Sequence, residues 1–434
     1  MADQKPREIA KRILARYGTA PAYIEKLLEE AWAETPLAGP DRALCQELVY
    51  GVVRWQATLD WLIDRKTGRR PQKPALRHLL WLGLYQLFWL DRIPAHAAVH
   101  ETVELAKASG FGPQAGFINA ILRGYTREMD ATRKLLQELK TTQPSIGYSH
   151  PVWLCERWQK RWGSVVTAQL LDWNNSPPPT YARANSLRPE SAALPTIWQA
   201  EGVEAAPVTF PWTEGATIYE LKRHPSLATL PSFQKGLFYV QDPSTLLATV
   251  ELAPLPGELV LDQCAAPGGK TTHLAALMEN RGRIFASDPD PGRLERLREY
   301  CLRLGARCVE LVSHTFSPSE GPLPAAFDRI LIDAPCSNTG VMRRRVDLRW
   351  RVRPEEIQHL SKCQLEILRD AAPRLKPGGV LVYSTCSLET EENRGVIDKF
   401  LTAHPTMRLD RERELTPFKD GVDGAYVARL TSAP

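Results

Sequence analysis

Asp262-Gln263-Cys264-Ala265-Ala266-Pro267-Gly268-Gly269-Lys270-Thr271 stands between an apolar run, Glu258 to Gln263, and a stretch of helical periodicity, Lys270 to Met278. Gly268 and Gly269 remove side chains where a ligand must approach the backbone, and a helix start offers unpaired N–H groups. The stretch matches neither the phosphate loop G-x-x-x-x-G-K-[ST] nor the dinucleotide pattern G-x-G-x-x-G. It suits an adenosine-type cofactor. Outward from it, strand and helix patterns alternate: Arg283 to Ser287 then Arg293 to Leu304, Cys308 to Val312, Arg329 to Asp333 then Glu355 to Leu375, and Val380 to Tyr383 then Glu391 to Ala403. This alternation predicts a doubly wound, Rossmann-like α/β domain over residues 236–434, with ligands at the carboxyl ends of its strands. Asp288 closes the second strand, where a carboxylate accepts from ribose hydroxyls; Pro289 and Pro291 also allow it a plain turn role.

Upstream the texture differs. Apolar residues three and four apart, Leu44, Leu48, Val52, Trp55, Leu59 and Leu62, mark an amphipathic helical stripe. Further helical patterns at Ala22 to Trp32, Leu76 to Leu90, Ala97 to Ala108, Gln114 to Arg123 and Ala131 to Leu139 complete an all-α bundle over residues 1–142. A helical run rich in Trp and Arg ends near Gly163, and Ser176-Pro177-Pro178-Pro179 then marks a break. Residues 148–232 thus read as a small α+β linking domain.

A chain of 434 residues is too long for one core. Its 43% hydrophobic and 24% charged residues exclude a disordered or fibrous protein, and a net charge of +5 permits a nucleic-acid partner without demanding one. The longest apolar stretch, Leu79 to Leu90, is interrupted by Gln86 and falls short of the roughly 20 residues that span a bilayer. No membrane partner is expected. The eight cysteines form no C-x-x-C pair, so no metal site is expected and free thiols in the cytoplasm are the economical reading.

Two of those cysteines follow predicted strands, in Asp333-Ala334-Pro335-Cys336 and Ser384-Thr385-Cys386-Ser387. Two thiols at strand ends, downstream of a cofactor turn, suggest a nucleophile and a helper acting on one substrate. Beside the first lies Arg343-Arg344-Arg345-Val346-Asp347-Leu348-Arg349-Trp350-Arg351-Val352-Arg353, the densest basic run in the chain. It suits phosphate contacts and base stacking, and Arg343, Arg344, Arg345, Arg349, Trp350 and Arg351 are candidate RNA ligands.

Cys264 to Thr271, Asp333 to Gly340 and Thr385-Cys386-Ser387 together resemble the RsmB/NOP family of RNA cytosine-C5 methyltransferases, which use S-adenosylmethionine. Phe117-Ile118-Asn119-Ala120-Ile121-Leu122-Arg123 is similar to the signature that ends that family's NusB-like, RNA-binding helical domain. The resemblance implies that Cys386 adds to C6 of cytosine and that Cys336 assists adduct resolution and release. It implies a cofactor pocket of Cys264, Ala265, Ala266, Pro267, Gly268, Gly269, Lys270, Asp288, His314 and Asp333. His314 stands where the family usually has an aspartate, in Ser313-His314-Thr315. Asp333 can serve the cytosine edge or the cofactor, and Lys270 the cofactor carboxylate or the base; sequence leaves both open. The implied substrate is 16S ribosomal RNA, unassembled or in a partly assembled small subunit, and the protein is expected to work as a monomer. The alternatives are the same chemistry on tRNA or another RNA, and a non-catalytic ribosome assembly factor.

Overall fold

The computed structural model describes residues 6–19, 22–37, 39–213, 215–312 and 324–433. The chain divides into two units, Met1–Ser176 with Met342–Arg351, and Pro177–Val341 with Val352–Pro434.

The first unit is helical. Pro6–Tyr17, Ile24–Glu34, Gly39–Arg54, Gln56–Thr67, Pro74–Trp89, Ala95–Ala108, Ala115–Arg127 and Met129–Thr142 precede the long helix Val152–Asn175. The predicted stripe from Leu44 to Leu62 is cut in two at Trp55, whose φ of −100° and ψ of 18° leave the helical region. The apolar run becomes the buried helix Pro74–Trp89. Gln86 is tolerated inside it because its Nε2 donates to Leu82 O at 2.9 Å and its Oε1 accepts from Arg7 Nε at 2.8 Å. A Cβ on Gly51 would lie 1.9 Å from Tyr85 Cζ, so glycine is what lets helix Gly39–Arg54 close on that ring. Gly163, at φ 78°, kinks the helix where the sequence suggests an end, and the helix resumes to Asn175.

The second unit holds two sheets. Strands β1 (Thr180–Ala184), β2 (Glu204–Val208), β3 (Ile218–Arg223) and β4 (Phe238–Val240) form an antiparallel sheet in the order β2-β3-β1-β4. Trp198 packs edge-on against Tyr219 and Phe238 to fill its core. The larger sheet comprises β5 (Leu259–Gln263), β6 (Arg283–Ser287), β7 (Val309–Val312), β8 (Phe327–Asp333), β9 (Leu375–Thr385), β10 (Met407–Leu415) and β11 (Ala425–Ser432), in the order β10-β11-β9-β8-β5-β6-β7. The five strands from β9 to β7 are parallel; β11 runs antiparallel to both β9 and β10.

Side chains alternate between two apolar layers, as a parallel sheet covered on both faces requires. Val260, Ile284, Leu331 and Val382 enter one core, and Leu261, Phe285, Ile330, Ile332, Leu381 and Tyr383 the other. The antiparallel hairpin β10–β11 extends the sheet beyond the strands that the strand–helix alternation predicts. Among the described residues, no helix is long and apolar enough to cross a membrane.

Candidate active site

β5 delivers Asp262 and Gln263 at its carboxyl end, and the turn from Cys264 to Gly268 swings back into the helix Gly269–Leu277. Cys264 (φ 63°) and Gly268 (φ 109°) both adopt left-handed backbone, and Gly268 has no room for a Cβ, which would lie 2.2 Å from Leu297 Cδ1. Thr271 Oγ1 donates to Asp262 Oδ2 at 2.6 Å, tying the helix back to its strand. Asp262 Oδ1 and Gln263 Oε1 are buried with no hydrogen-bond partner. Burial, above all, pushes the Asp262 carboxyl up to about 7.

Asp288 is fully buried. Its oxygens accept from Ala266 N at 3.3 Å and Asp290 N at 3.0 Å, and Arg293 Nη1 lies 3.2 Å away. It therefore braces the turn from Cys264 to Gly268. His314 lies outside the described residues.

β8 and β9 are neighbours in parallel register, with Asp333 opposite Ser384, so the loops that follow them leave the same sheet end side by side. This register brings the two motifs together. Cys336 Sγ lies 3.4 Å from Cys386 Sγ, and the Cys386 thiol donates to Asn338 Oδ1 at 3.0 Å. Asp333 Oδ1 accepts from Ser384 Oγ at 2.9 Å, and its Oδ2 pairs with Lys270 Nζ at 2.7 Å. Gly340 N donates to Cys386 O at 3.0 Å; a Cβ on Gly340 would stand 2.8 Å from that same oxygen. Glycine is thus required where the two loops touch.

Electrostatics act on the second thiol and on the lysine. The Cys336 thiol is held well above its ordinary range, first by its hydrogen bond to Cys386, then by burial, the Cys386 charge and Glu392. Burial works against the Lys270 ammonium, but Asp333 and the Cys386 charge outweigh it and raise its pKa. Burial and three carboxylates push the Cys264 thiol up to about 12, which disfavours its thiolate.

Residues 249–431 match the 16S rRNA methyltransferase RsmB/F family, residues 4–127 the NusB family, and residues 150–214 the RsmF/B-like ferredoxin-like domain. Over 415 residues the chain is 38% identical to the probable ribosomal RNA small subunit methyltransferase B of Synechocystis sp., covering 93% of this chain and 90% of that one. The chain belongs to the ribosomal RNA small subunit methyltransferase B family. The Erwinia tasmaniensis ribosomal RNA small subunit methyltransferase B is 37% identical over 424 residues, covering 94% and 96% of the two chains. The crystal structure of PH0851 superposes with a TM-score of 0.77 at 26% identity, covering 98% of this chain and 99% of that one. The bundle is thus NusB-like, the small sheet ferredoxin-like and the large sheet Rossmann-like, and the protein is an RNA methyltransferase.

Against this family background the arginine run needs correction. Met342–Arg351 groups with the helical unit, and most of its cations are spent there. Arg349 is fully buried and donates to Asn175 Oδ1 at 2.7 Å, Asn174 O at 2.9 Å and Ser149 O at 3.2 Å. Arg343 is 2% exposed and stacks 3.7 Å from the centre of the Trp173 ring. Trp350 Nε1 donates to Val53 O at 2.7 Å, and Arg351 pairs with buried Asp347 at 2.8 Å. Arg343 and Arg349 are buried within the helical unit, and half-buried Trp350 and Arg351 are bonded there too, so this part of the run is engaged by the protein itself. Arg345 is exposed and Arg344 half-buried.

Sequence reasoning missed Asn338 and Glu392. Asn338 takes left-handed backbone (φ 57°), and its Nδ2 donates to Cys336 O at 2.6 Å. An Asn two residues beyond a Pro-Cys turn was the available signal, since Asn tolerates that conformation.

Proposed function

We propose that the protein methylates carbon 5 of a cytosine in 16S ribosomal RNA, using S-adenosylmethionine and a covalent cysteine intermediate. The observation that carries this reading is the pair of thiols, 3.4 Å apart, at the ends of adjacent parallel strands with the Lys270–Asp333 ion pair beside them. Carbon 5 of cytosine is a weak nucleophile. Cys386 Sγ, as thiolate, adds to C6 and the C5–C6 electron pair becomes available at C5. Bound S-adenosylmethionine supplies an electrophilic methyl group. After C5 has gained the methyl, loss of its proton re-forms the C5–C6 double bond and the C6–S bond breaks, returning Cys386. Cys336, held as a thiol, assists that last stage. Lys270 and Asp333 carry opposite charges to where the ring accumulates and releases charge.

The cofactor turn supports the reading independently. The helix opening at Gly269 has N–H groups free for a carboxylate. Gln263 Oε1 is a buried acceptor without a partner at the carboxyl end of β5, the kind of group a polar ligand satisfies. Cys264 to Lys270 and Asp333 would line the pocket, with Asp288 holding its turn. Exposed Arg345 and half-buried Arg344 remain the candidates for RNA phosphate in their segment. We further place the reaction in the cytoplasm, on RNA before subunit assembly is complete, with one chain acting alone.

The test is transfer of labelled methyl from S-adenosylmethionine to unmodified 16S ribosomal RNA, followed by nucleoside analysis. Label in 5-methylcytidine at one bisulfite-protected position supports the reading. Label in any other nucleoside overturns it.

A further inference from the structure

Glu392 is fully buried, carries no ion pair among the described residues, and lies just ahead of the helix Arg394–Ala403. Every group donating to its carboxylate is neutral. Oε1 accepts from Ser337 N at 2.8 Å and from Gln364 Nε2 at 3.1 Å. Oε2 accepts from the hydroxyls of both Ser337 and Ser387. Ser337 and Ser387 are the residues immediately after Cys336 and Cys386, and their own hydroxyls are 3.1 Å apart. Placing a carboxylate here costs its hydration, and a cross-link between two loops could be made more cheaply by apolar packing. A carboxylate oxygen can, however, take two hydroxyl donors at once, from two directions.

We propose that Glu392 is a positioning residue that sets the spacing of the two thiols, by holding with one carboxylate the residue behind each. The inference rests on the assignment of Cys386 as nucleophile and Cys336 as releasing thiol. The surrounding bonds fit a brace aimed at these loops. Gln364 Nε2 also donates to Pro335 O at 2.9 Å, Asn393 Nδ2 donates to Ser387 O at 2.9 Å, and Thr385 Oγ1 donates to Asn393 Oδ1 at 2.6 Å. Tyr383 OH donates to Glu392 O at 2.6 Å, anchoring the brace itself to β9. Burial raises the Glu392 carboxyl pKa while its four donors oppose the shift, and its charge adds to those that keep Cys336 protonated. The brace thus also acts on the state of the second thiol.

Because each serine belongs to one loop, the two can be loosened separately. Ser387→Ala loosens the nucleophile loop and slows adduct formation; Ser337→Ala loosens the release loop and slows adduct breakdown. On the RNA to which the wild type transfers methyl, the ratio of SDS-resistant RNA–protein complex to methylated product should rise about ten-fold in Ser337→Ala, whereas Ser387→Ala should leave that ratio near the wild type's and slow the single-turnover appearance of complex about ten-fold, given how steeply rate depends on placement. Glu392→Ala should lose about 100-fold in transfer, and Glu392→Gln should recover most of it, since an amide can still accept from the N–H donors and bridge the hydroxyls. A variant that merely unfolds lowers complex and product together and leaves their ratio unchanged, so Ser337→Ala decides even where Glu392→Ala fails to fold. Equal ratios in both serine variants, or shifts in the same direction, would overturn the inference. Cys386→Ala and Cys336→Ala run alongside: transfer retained by the first, or no complex in the second, overturns the thiol assignment itself, a failure separate from an unchanged ratio with both controls behaving.

Discussion

Cys336 Sγ and Cys386 Sγ stand 3.4 Å apart, close enough to share one proton and too close to carry two charges comfortably. The hydrogen bond to Cys386 is the largest cause of the raised Cys336 pKa. Removing Cys386 should therefore let Cys336 ionise at lower pH. Peptide-resolved alkylation with iodoacetamide across a pH series checks this: modification of Cys336 is expected to begin at lower pH in Cys386→Ala than in the wild type. Coincident profiles would mean that the two thiols do not interact.

Lys270 and Asp333 form a 2.7 Å ion pair, with the lysine side chain 17% exposed. On the proposed mechanism the pair serves the reacting base. Lys270→Met is expected to reduce kcat by ~100-fold, the usual scale for losing one charge stabiliser, with a smaller effect on KM for S-adenosylmethionine. Steady-state kinetics with varied cofactor settles it: a large rise in KM at unchanged kcat would assign Lys270 to the cofactor carboxylate.

Asp262 links stability to pH. Its folded carboxyl keeps the proton up to about 7, whereas an unfolded aspartate releases it near ~3.9. Between those values the folded state binds the extra proton, so stability falls as pH rises through that window and levels off above it. Asp262→Asn retains an acceptor for Thr271 and removes the titration. Urea denaturation should show the wild type losing more stability between pH 5 and pH 8 than the variant does; parallel losses would place the proton elsewhere.

Arg349 is a structural cation. Burial, helped by the neighbouring Arg54 charge, lowers its pKa to about 9, leaving it charged at neutral pH. Arg349→Ala abandons the acceptors Asn175 Oδ1, Asn174 O and Ser149 O and should cost on the order of 3–5 kcal/mol. Arg345→Ala, at an exposed position, should leave stability within about 0.5 kcal/mol of the wild type. Thermal unfolding of the pair distinguishes them. Equal melting temperatures would contradict the buried role of Arg349.

These contrasts mark where sequence is legible. The turn after β5 and the cysteine motifs could be read because glycine pairs, apolar strands and thiols at strand ends leave local traces. That β8 and β9 run parallel follows from the alternation of strands and helices, but the register that sets Asp333 opposite Ser384 does not. Arg343 to Arg351 could not be read, because composition fixes the charge of a guanidinium and not the carbonyls that surround it. β10 was hidden for a related reason: Arg408, Asp410, Arg411, Glu412, Arg413 and Glu414 make it look like a solvated segment, and it is the edge strand, where charges face water. Glu392 reads as an ordinary acidic residue before a helix; only the folded loops reveal its two serines.

The central claim is that Cys386 carries the RNA covalently and Cys336 lets it go. The most direct measurement follows SDS-resistant complexes between labelled 16S ribosomal RNA and the wild type, Cys336→Ala, Cys386→Ala and the double variant, in the presence of S-adenosylmethionine. Cys336→Ala is predicted to accumulate complex, and Cys386→Ala and the double variant to form none and transfer no methyl. Complex or methyl transfer in Cys386→Ala would contradict the account.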